Sequence, residues 1–314
     1  MKLGLGTAAL GRPQYINVRT EECDNSDLTE FRNQSFAVLE EAYHLGIRYF
    51  DTAPGYGLAE ELLLEWVQTK DDNSIEVATK WGYTYTANFD ANATIHEVKE
   101  HSLSKLNEQW KYSKQLLPYL KVYQIHSATL ETGVLENTEV LEQLAFLKKE
   151  YNLKIGLTTT GTNQVEVIKK ALNVLVDGAP VFDLFQVTYN FLDQSLIEVS
   201  AELVRQNKSI VIKEALANGR VFKNENYPNY TKMYATLESL SKKHNVGVDA
   251  ISLKYCAQTI PESNVLSGAS FTKQLKQNLE MNSFTLSADD IETLNSLKVS
   301  PDAYWTERKK LQWN

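Results

Sequence analysis

This sequence has few cysteines, no long apolar segment and no excess of basic residues. Its 314 residues include two cysteines, Cys23 and Cys256, so we expect a reducing compartment and no disulfide framework or multi-cysteine metal site. No run of about 18 apolar residues occurs, which argues against a membrane-spanning helix. Asp and Glu number 40 against 32 Lys and Arg, and the net charge of -8 argues against nonspecific binding to nucleic acid or an anionic membrane. We therefore expect a cytoplasmic enzyme that acts on a small molecule and uses no metal. We expect the protein to be a monomer or a small homo-oligomer.

The sequence does contain a regular alternation of short apolar runs and amphipathic segments. Such a pattern is typical of parallel strands joined by crossover helices. Eight such units in roughly 280 residues match the size of a single (β/α)8 TIM barrel. Pro and Gly lie at the unit junctions and not in a linker, so we assign residues 1–314 to one α/β domain. A doubly wound open sheet is the alternative.

The element boundaries follow from the hydrophobic spacing and the turn residues. The predicted strands are 3–5, 47–51, 75–80, 120–126, 154–157, 182–187, 209–213 and 264–267. The predicted helices are 33–45, 58–67, 94–110, 137–151, 164–176, 194–206, 230–245, 249–257 and 272–281, with an additional C-terminal helix at 288–297 and an aromatic tail. Thr94 and Glu97 are expected to form a capping box for the third of these helices.

Three neighbouring predicted strands each end in an ionisable residue, namely Asp51, Lys80 and His126. In a parallel barrel the ends of the strands meet at one rim, where the reactive groups lie. The loop after Asp51 adds Tyr56 between two glycines. A phenol has an ordinary pKa of about 10, and a nearby Lys ammonium held by Asp51 is expected to lower it, which would suit a proton donor.

Each of these four residues also has a structural interpretation. Asp51 alone would be read as a helix cap, Lys80 as a solvent-exposed side chain and His126 as a buried polar group. Tyr56 alone is one of 16 tyrosines. Their coincidence at one rim favours a catalytic site.

The segment 50–60, FDTAPGYGLAE, resembles the aldo-keto reductase signature D-T-A-x-x-Y-G-x-x-E. Further matches follow in the family's order along the chain: the G-x-G-T of 4–7, the strand-end Lys80 and His126, the Q-x-x-Y-N of 186–190 and the nucleotide-binding end at 268–278. The resemblance implies hydride transfer between a nicotinamide cofactor and a carbonyl carbon. In that mechanism Tyr56 protonates the alkoxide, Lys80 and Asp51 tune Tyr56, and His126 orients the carbonyl oxygen.

The resemblance also implies a set of cofactor-binding residues, with NADPH favoured over NADH. Thr158 and Thr159 stand where members usually have Ser and Asn, and Ser270 where NADPH-preferring members usually have Arg. Lys273 or Lys276 is either a substitute for that Arg or a solvated helix residue. The whole set comprises Gly6, Thr7, Asp51, Thr158, Thr159, Gln186, Tyr189, Gly268, Ser270, Gln274 and Asn278.

Several questions stay open at this point. Lys213 and Glu214 replace the usual apolar run after the seventh strand, and no residues before Leu3 supply the hairpin that closes the barrel floor in many members. Tyr15, Trp81 and Trp305 are candidates for the substrate pocket. Two other functions fit the same barrel: a Schiff-base lyase with Lys80 as the nucleophile, and a non-catalytic nucleotide-binding regulator.

Overall fold

Eight parallel strands close into a barrel in the computed structural model, which describes residues 2–12, 27–90 and 93–311. The strands follow one another around the barrel in the order β1 (Leu3–Gly6), β12 (Ser263–Ser267), β11 (Ser209–Lys213), β10 (Leu184–Thr188), β7 (Lys154–Thr159), β6 (Leu120–Ala128), β3 (Glu76–Trp81) and β2 (Tyr49–Asp51). The predicted TIM-barrel fold is thus confirmed. Two short two-stranded sheets lie outside the barrel in the described residues, one of β4 (Tyr83–Tyr85) and β5 (Glu97–Lys99), the other of β8 (Leu175–Val176) and β9 (Ala179–Pro180).

Helices surround the barrel, and no helix of the described residues is long and apolar enough to cross a membrane. Their bounds are α1 (Ala8–Gly11), α2 (Leu28–His44), α3 (Ala59–Val67), α4 (Leu103–Ser113), α5 (Thr138–Glu150), α6 (Gln164–Ala171), α7 (Ile197–Arg205), α8 (Thr231–His244), α9 (Val248–Thr259), α10 (Thr272–Leu279), α11 (Ala288–Asn295) and α12 (Pro301–Arg308).

The lower part of the barrel interior is filled by side chains of the strands themselves. The ring of Tyr49 lies there because β1 provides Gly4, where a Cβ atom would stand 2.8 Å from Cδ1 of Tyr49. In the described part of the chain, side chains of the barrel strands themselves thus fill the floor of the barrel. The cluster consists of Tyr49, Ala78, Val122, Leu184 and Val211, with Leu266 packed against it.

Side chains alternate between the two faces of a strand, so the residues two positions further along face the same interior nearer the mouth. That layer is polar where the lower one is apolar. It contains Asp51, Lys80, Gln124, Gln186 and Lys213, each two residues after a member of the lower cluster.

The predicted helix 94–110 is wrong in its first half. Glu97–Lys99 forms the strand β5, which pairs antiparallel with β4, and α4 begins only at Leu103. The N-cap of α4 is Ser102, whose hydroxyl accepts a hydrogen bond from the Lys105 amide at 3.1 Å. The expected capping box at residues 94 and 97 therefore does not form. Val98, counted as an inward helix position, is 48% exposed.

Other boundaries also differ from the prediction. Helix α2 begins at Leu28 and not at residue 33, because the Asp27 carboxylate caps it by accepting from the Thr29 amide at 2.7 Å. Helix α6 ends at Ala171, and β8 then pairs with β9. The aromatic tail is in part the helix α12, capped by Ser300.

Candidate active site

The four predicted catalytic residues meet at the mouth of the barrel. The ammonium of Lys80 donates to the Asp51 carboxylate and to the Thr52 carbonyl, the latter at 3.0 Å. Its Nζ lies 4.7 Å from the centroid of the Tyr56 ring, and the Tyr56 hydroxyl is 3.4 Å from Nε2 of His126. Asp51, Tyr56 and His126 line one cavity, whereas Lys80 lies behind them with no exposed surface.

Backbone geometry fixes the position of Tyr56. The next residue, Gly57, has φ of +65°, a conformation that favours glycine. The Gly11 carbonyl accepts a hydrogen bond from the Leu58 amide at 2.7 Å, and a Cβ atom on Gly11 would overlap the Tyr56 carbonyl. The segment after β1 is thus packed directly on the loop that carries Tyr56.

Asp51 accepts hydrogen bonds from two amide side chains besides Lys80. Nε2 of Gln186 lies 2.7 Å and Nε2 of Gln124 lies 3.3 Å from its Oδ2 atom. These neutral donors stabilise the buried carboxylate through Oδ2, while Lys80 donates to its other oxygen, Oδ1. Gln186, predicted to hold the cofactor, therefore also orients Asp51.

Burial controls the protonation of Tyr56 and His126. Desolvation raises the pKa of Tyr56 well above its usual range, the nearby Asp51 charge adds to this effect, and the Arg12 charge opposes it. The expected lowering of the Tyr56 pKa is thus not found in this site, because burial, with the Asp51 charge beside it, raises the pKa instead. Burial, followed by the charge of Lys80, lowers the pKa of His126 well below its usual range. Both side chains are therefore neutral near pH 7.

Five of the residues predicted to bind the cofactor lie on the cavity wall: Gly6, Asp51, Thr158, Gln186 and Gly268. Thr7 lies just behind this wall, where its hydroxyl and amide both donate to the Asp51 carbonyl, at 3.0 and 2.8 Å. The Thr158 hydroxyl accepts a hydrogen bond from the Ser127 amide at 2.7 Å.

Tyr189 and Thr159 do not fit their predicted role in cofactor binding. Tyr189 is fully buried, its ring is stacked on Tyr255 with centroids 5.8 Å apart, and its hydroxyl donates to Thr259 at 2.9 Å. The Thr159 hydroxyl donates to Gln164 at 3.2 Å, away from the cavity. Both residues face the layer between barrel and helices, because they alternate with the inward residues Thr188 and Thr158.

The predicted adenine end lies around the start of α10. The Ser270 amide donates to the Gln274 side chain at 3.0 Å, so these two residues are in contact. Asn278 is 3% exposed, and it donates to Asp249 at 2.7 Å and accepts from the Ser267 hydroxyl at 2.6 Å. These bonds hold Asn278 in the protein interior, which does not favour its predicted contact with adenine.

The two candidates for the substrate pocket that lie in the described residues are core residues. Trp81 has no exposed surface and packs edge-on against His101, with ring centroids 5.5 Å apart. Trp305 is 2% exposed and its indole donates to Asp193 at 3.2 Å. Tyr15 lies outside the described residues.

Sequence reasoning missed several residues of the cavity wall. Arg12 donates to Glu97 and to the Gly55 carbonyl, at 3.0 and 3.1 Å, and its guanidinium lies 5.6 Å from the Tyr56 ring. Tyr83 packs on His126 with ring centroids 4.6 Å apart. The missed lining residues include Arg12, Tyr83, Glu97, Thr160 and Arg308. The chain separation of 85 residues between Arg12 and Glu97 left no local signal for this pair.

The structure gives Glu214 a clear role. Its carboxylate accepts hydrogen bonds from the Tyr304 hydroxyl at 3.0 Å and from Arg308 at 2.9 and 3.1 Å, which joins α12 to the end of β11. Lys213 points into the cavity and donates to the Thr188 hydroxyl at 3.1 Å.

Known proteins resemble this chain in sequence and in fold. The sequence profile of the Aldo/keto reductase family matches residues 2–299. The chain is 25% identical over 297 residues to the uncharacterized oxidoreductase YqkF of Bacillus subtilis (strain 168), a match that covers 84% of this chain and 88% of that protein. It is 23% identical over 318 residues to the NADH-specific methylglyoxal reductase of Escherichia coli (strain K12), with 92% of both chains covered.

Among solved structures, the holo form of the aldo-keto reductase AKR11C1 from Bacillus halodurans superposes with a TM-score of 0.72 at 23% identity. This match covers 95% of this chain and 92% of that chain, and it shows a common fold. Since the family profile spans nearly the whole sequence, the chain belongs to the aldo/keto reductase family of oxidoreductases, which interconvert carbonyl compounds and alcohols.

Proposed function

We propose that the protein reduces an aldehyde, ketone or sugar carbonyl with NAD(P)H, and oxidises the corresponding alcohol, with Tyr56 as the general acid and base. The observation that carries this proposal is the contact of 3.4 Å between the Tyr56 hydroxyl and His126 on the wall of one cavity, with the Lys80–Asp51 ion pair directly beneath. Hydride addition to a carbonyl builds negative charge on oxygen, and two neutral donors fixed at that point stabilise it.

Tyr56 is the residue that delivers the proton. Because burial raises its pKa, the phenol is protonated near pH 7 and ready to donate. Once the proton has left, the Lys80 ammonium at 4.7 Å from the ring stabilises the tyrosinate. Asp51 keeps that ammonium in place through the ion pair.

His126 orients the carbonyl oxygen through Nε2. Its Nδ1 atom is buried and has no hydrogen-bond partner among the described residues. A buried N–H without an acceptor is costly, so the proton of the neutral ring belongs on Nε2, which faces Tyr56. His126 is therefore a hydrogen-bond donor at the reacting oxygen.

We propose that this cavity takes a nicotinamide dinucleotide, which would supply or accept the hydride when bound. The wall next to the catalytic residues offers Thr158 and Gln186 as polar partners for a carboxamide. Near Gly268, a Cβ atom would meet nothing within 4 Å, so the backbone there leaves room for a bulky group. Gly6, Thr158, Gln186 and Gly268 are the residues that would hold the cofactor.

For the 2′-phosphate that distinguishes NADPH from NADH, the described residues around Ser270 offer few basic partners. Ser270 lacks charge, Lys276 is paired with Glu41 at 3.0 Å, and the remaining candidate, Lys273 in the first turn of α10, is exposed. We propose that NADH is used as well as the NADPH that the family resemblance favours. The NADH-specific reductase of Escherichia coli is a relative consistent with this proposal.

The alternative of a Schiff-base lyase is not supported. Lys80 is fully buried behind the cavity wall and forms an ion pair with Asp51, so its side-chain nitrogen is not accessible to a substrate carbonyl. The proposed function is tested with a panel of aldehydes, ketones and sugars. Each compound is incubated with the protein and NADH or NADPH, and turnover is measured as the loss of absorbance of the reduced cofactor. Turnover by the wild-type protein supports the proposal, whereas cofactor binding without turnover over the whole panel favours a non-catalytic regulator.

A further inference from the structure

Lys213 is a charged side chain of the cavity that the mechanism above does not use. It is the last residue of β11 and faces inward, two positions after Val211 of the lower barrel cluster. Its side chain is 19% exposed and lines the same cavity as Tyr56 and His126. An ammonium in this position meets whatever binds in the cavity.

The hydrogen-bonding capacity of Lys213 is largely unused in the described residues. An ammonium has three N–H donors, and the Thr188 hydroxyl at 3.1 Å is the one hydrogen-bond acceptor it reaches in that part of the chain. The nearest carboxylate, Glu214, is 3.9 Å away, beyond hydrogen-bond distance. Thr188 fixes the direction of the ammonium but does not neutralise its charge.

The charges around the cavity explain why Glu214 does not complete the pair. Lys80 is matched by Asp51, and Arg12 is matched by Glu97. Glu214 is the carboxylate shared by Lys213 and Arg308, and it is turned toward Arg308, which donates to it at 2.9 and 3.1 Å. Among the cations of the cavity wall in the described part of the chain, these pairings leave Lys213 without a carboxylate at hydrogen-bond distance, although the charge of Asp193 also acts on it.

A partly desolvated cation with open donors binds an anionic oxygen well, because the charge-assisted hydrogen bond replaces lost hydration. We propose that Lys213 forms an anion-binding subsite of the cavity, which takes a carboxylate or phosphate oxygen of a bound molecule. The proposal rests on the proposed function, because it assumes that a carbonyl substrate and a dinucleotide enter this cavity. The two sources of the anion are a carboxylate on the substrate and the diphosphate of the cofactor.

The test compares Lys213→Met and Lys213→Arg with the wild-type protein. The matched control is Lys208→Met, which removes a lysine just before the same strand, where Nζ donates to the Phe182 carbonyl at 2.8 Å. The substrates are glyoxylate, succinate semialdehyde and para-carboxybenzaldehyde, each measured against its methyl ester. The Kd values of NADH and NADPH are measured by quenching of the protein fluorescence.

If the anion belongs to the substrate, Lys213→Met lowers kcat/KM for at least one acid by about tenfold or more relative to its ester, and Lys213→Arg restores it. If the anion belongs to the cofactor, Lys213→Met raises both Kd values by about tenfold, while the ratio of acid to ester stays constant. The subsite is refuted if acid-to-ester ratios and both Kd values stay within about twofold of wild type, as expected for Lys208→Met.

A second measurement on the wild-type protein covers the case in which Lys213→Met does not fold. Calorimetric titration with benzoate and inorganic phosphate is carried out before and after saturation with NADH. Benzoate binding to the NADH-saturated protein supports the substrate source, and phosphate binding that NADH abolishes supports the cofactor source. Absence of both refutes the subsite. If the wild-type protein reduces the esters but binds neither benzoate nor phosphate, the anion-binding subsite alone is wrong. If it reduces none of the substrates, the proposed function fails, and the calorimetric titration still tests the subsite.

Discussion

Glu214 is expected to contribute strongly to the stability of the folded protein through its charge. The carboxylate is 8% exposed, and it receives hydrogen bonds from Tyr304 and Arg308 of the C-terminal helix. Burial by itself would raise its pKa, but the charges of Arg308 and Lys213 and these hydrogen bonds outweigh burial and lower the pKa to about 2. The C-terminal helix is thus attached to the barrel mouth by an ionised group.

The size of this contribution follows from the pKa shift. The pKa falls from 4.5 to about 2, and each unit is worth about 1.4 kcal/mol, so ionisation of Glu214 stabilises the fold by about 3 kcal/mol at pH 7. Because the folded-state pKa is the lower one, this stability is present above pH 4.5 and is lost as the pH falls toward 2. Glu214→Gln should therefore lower the free energy of unfolding by about 3 kcal/mol at pH 7 and by about 1 kcal/mol at pH 3.

The assay is urea-induced unfolding of both proteins, followed by tryptophan fluorescence between pH 7 and pH 3. The matched control is Glu238→Gln, because Glu238 forms an exposed pair with Lys242 at 2.7 Å, and this change should leave the unfolding curve as it is. A loss below about 1 kcal/mol at pH 7, or a loss that does not change with pH, would refute the reasoning.

Two further predictions concern Tyr56 and the choice of cofactor. Arg12→Met removes a charge that lowers the Tyr56 pKa, so the pH profile of kcat for alcohol oxidation, which needs the tyrosinate, should shift to higher pH, while Arg12→Lys should preserve it. An unchanged profile in Arg12→Met would show that Arg12 does not act on Tyr56. Ser270→Arg should lower the Kd of NADPH relative to that of NADH by about tenfold, because a guanidinium binds a phosphate with two charge-assisted hydrogen bonds. A constant ratio of the two Kd values would show that the 2′-phosphate of NADPH does not bind next to residue 270.

The barrel could be predicted because each strand and helix carries its own periodic signal. The prediction of helix 94–110 failed because Ile95 and Val98 have helical spacing by coincidence and are 62% and 48% exposed. What decides the structure there is the pairing of β5 with β4, more than ten residues earlier in the chain. Such a non-local contact leaves no mark on the local pattern.

The meeting of Asp51, Lys80 and His126 could be predicted because adjacent parallel strands end at the same rim. The aromatic residues could not be placed in the same way, because a large ring is buried both in a core and in a pocket. Tyr189 follows the inward-facing Thr188, and the alternation of side chains along a strand turns it away from the cavity. Arg12 and Glu97 come from segments that meet only in the folded barrel, so their ion pair at 3.0 Å was not visible in the sequence.

The central claim, that Tyr56 is the proton donor, is tested most directly by the kinetics of Tyr56→Phe. This substitution removes only the hydroxyl and keeps the ring that packs on His126 with centroids 5.3 Å apart. For a carbonyl compound that the wild-type protein reduces, kcat should fall by about 100-fold or more, while the Kd of the cofactor stays within about threefold. Reduction by Tyr56→Phe at the wild-type rate would contradict the assignment.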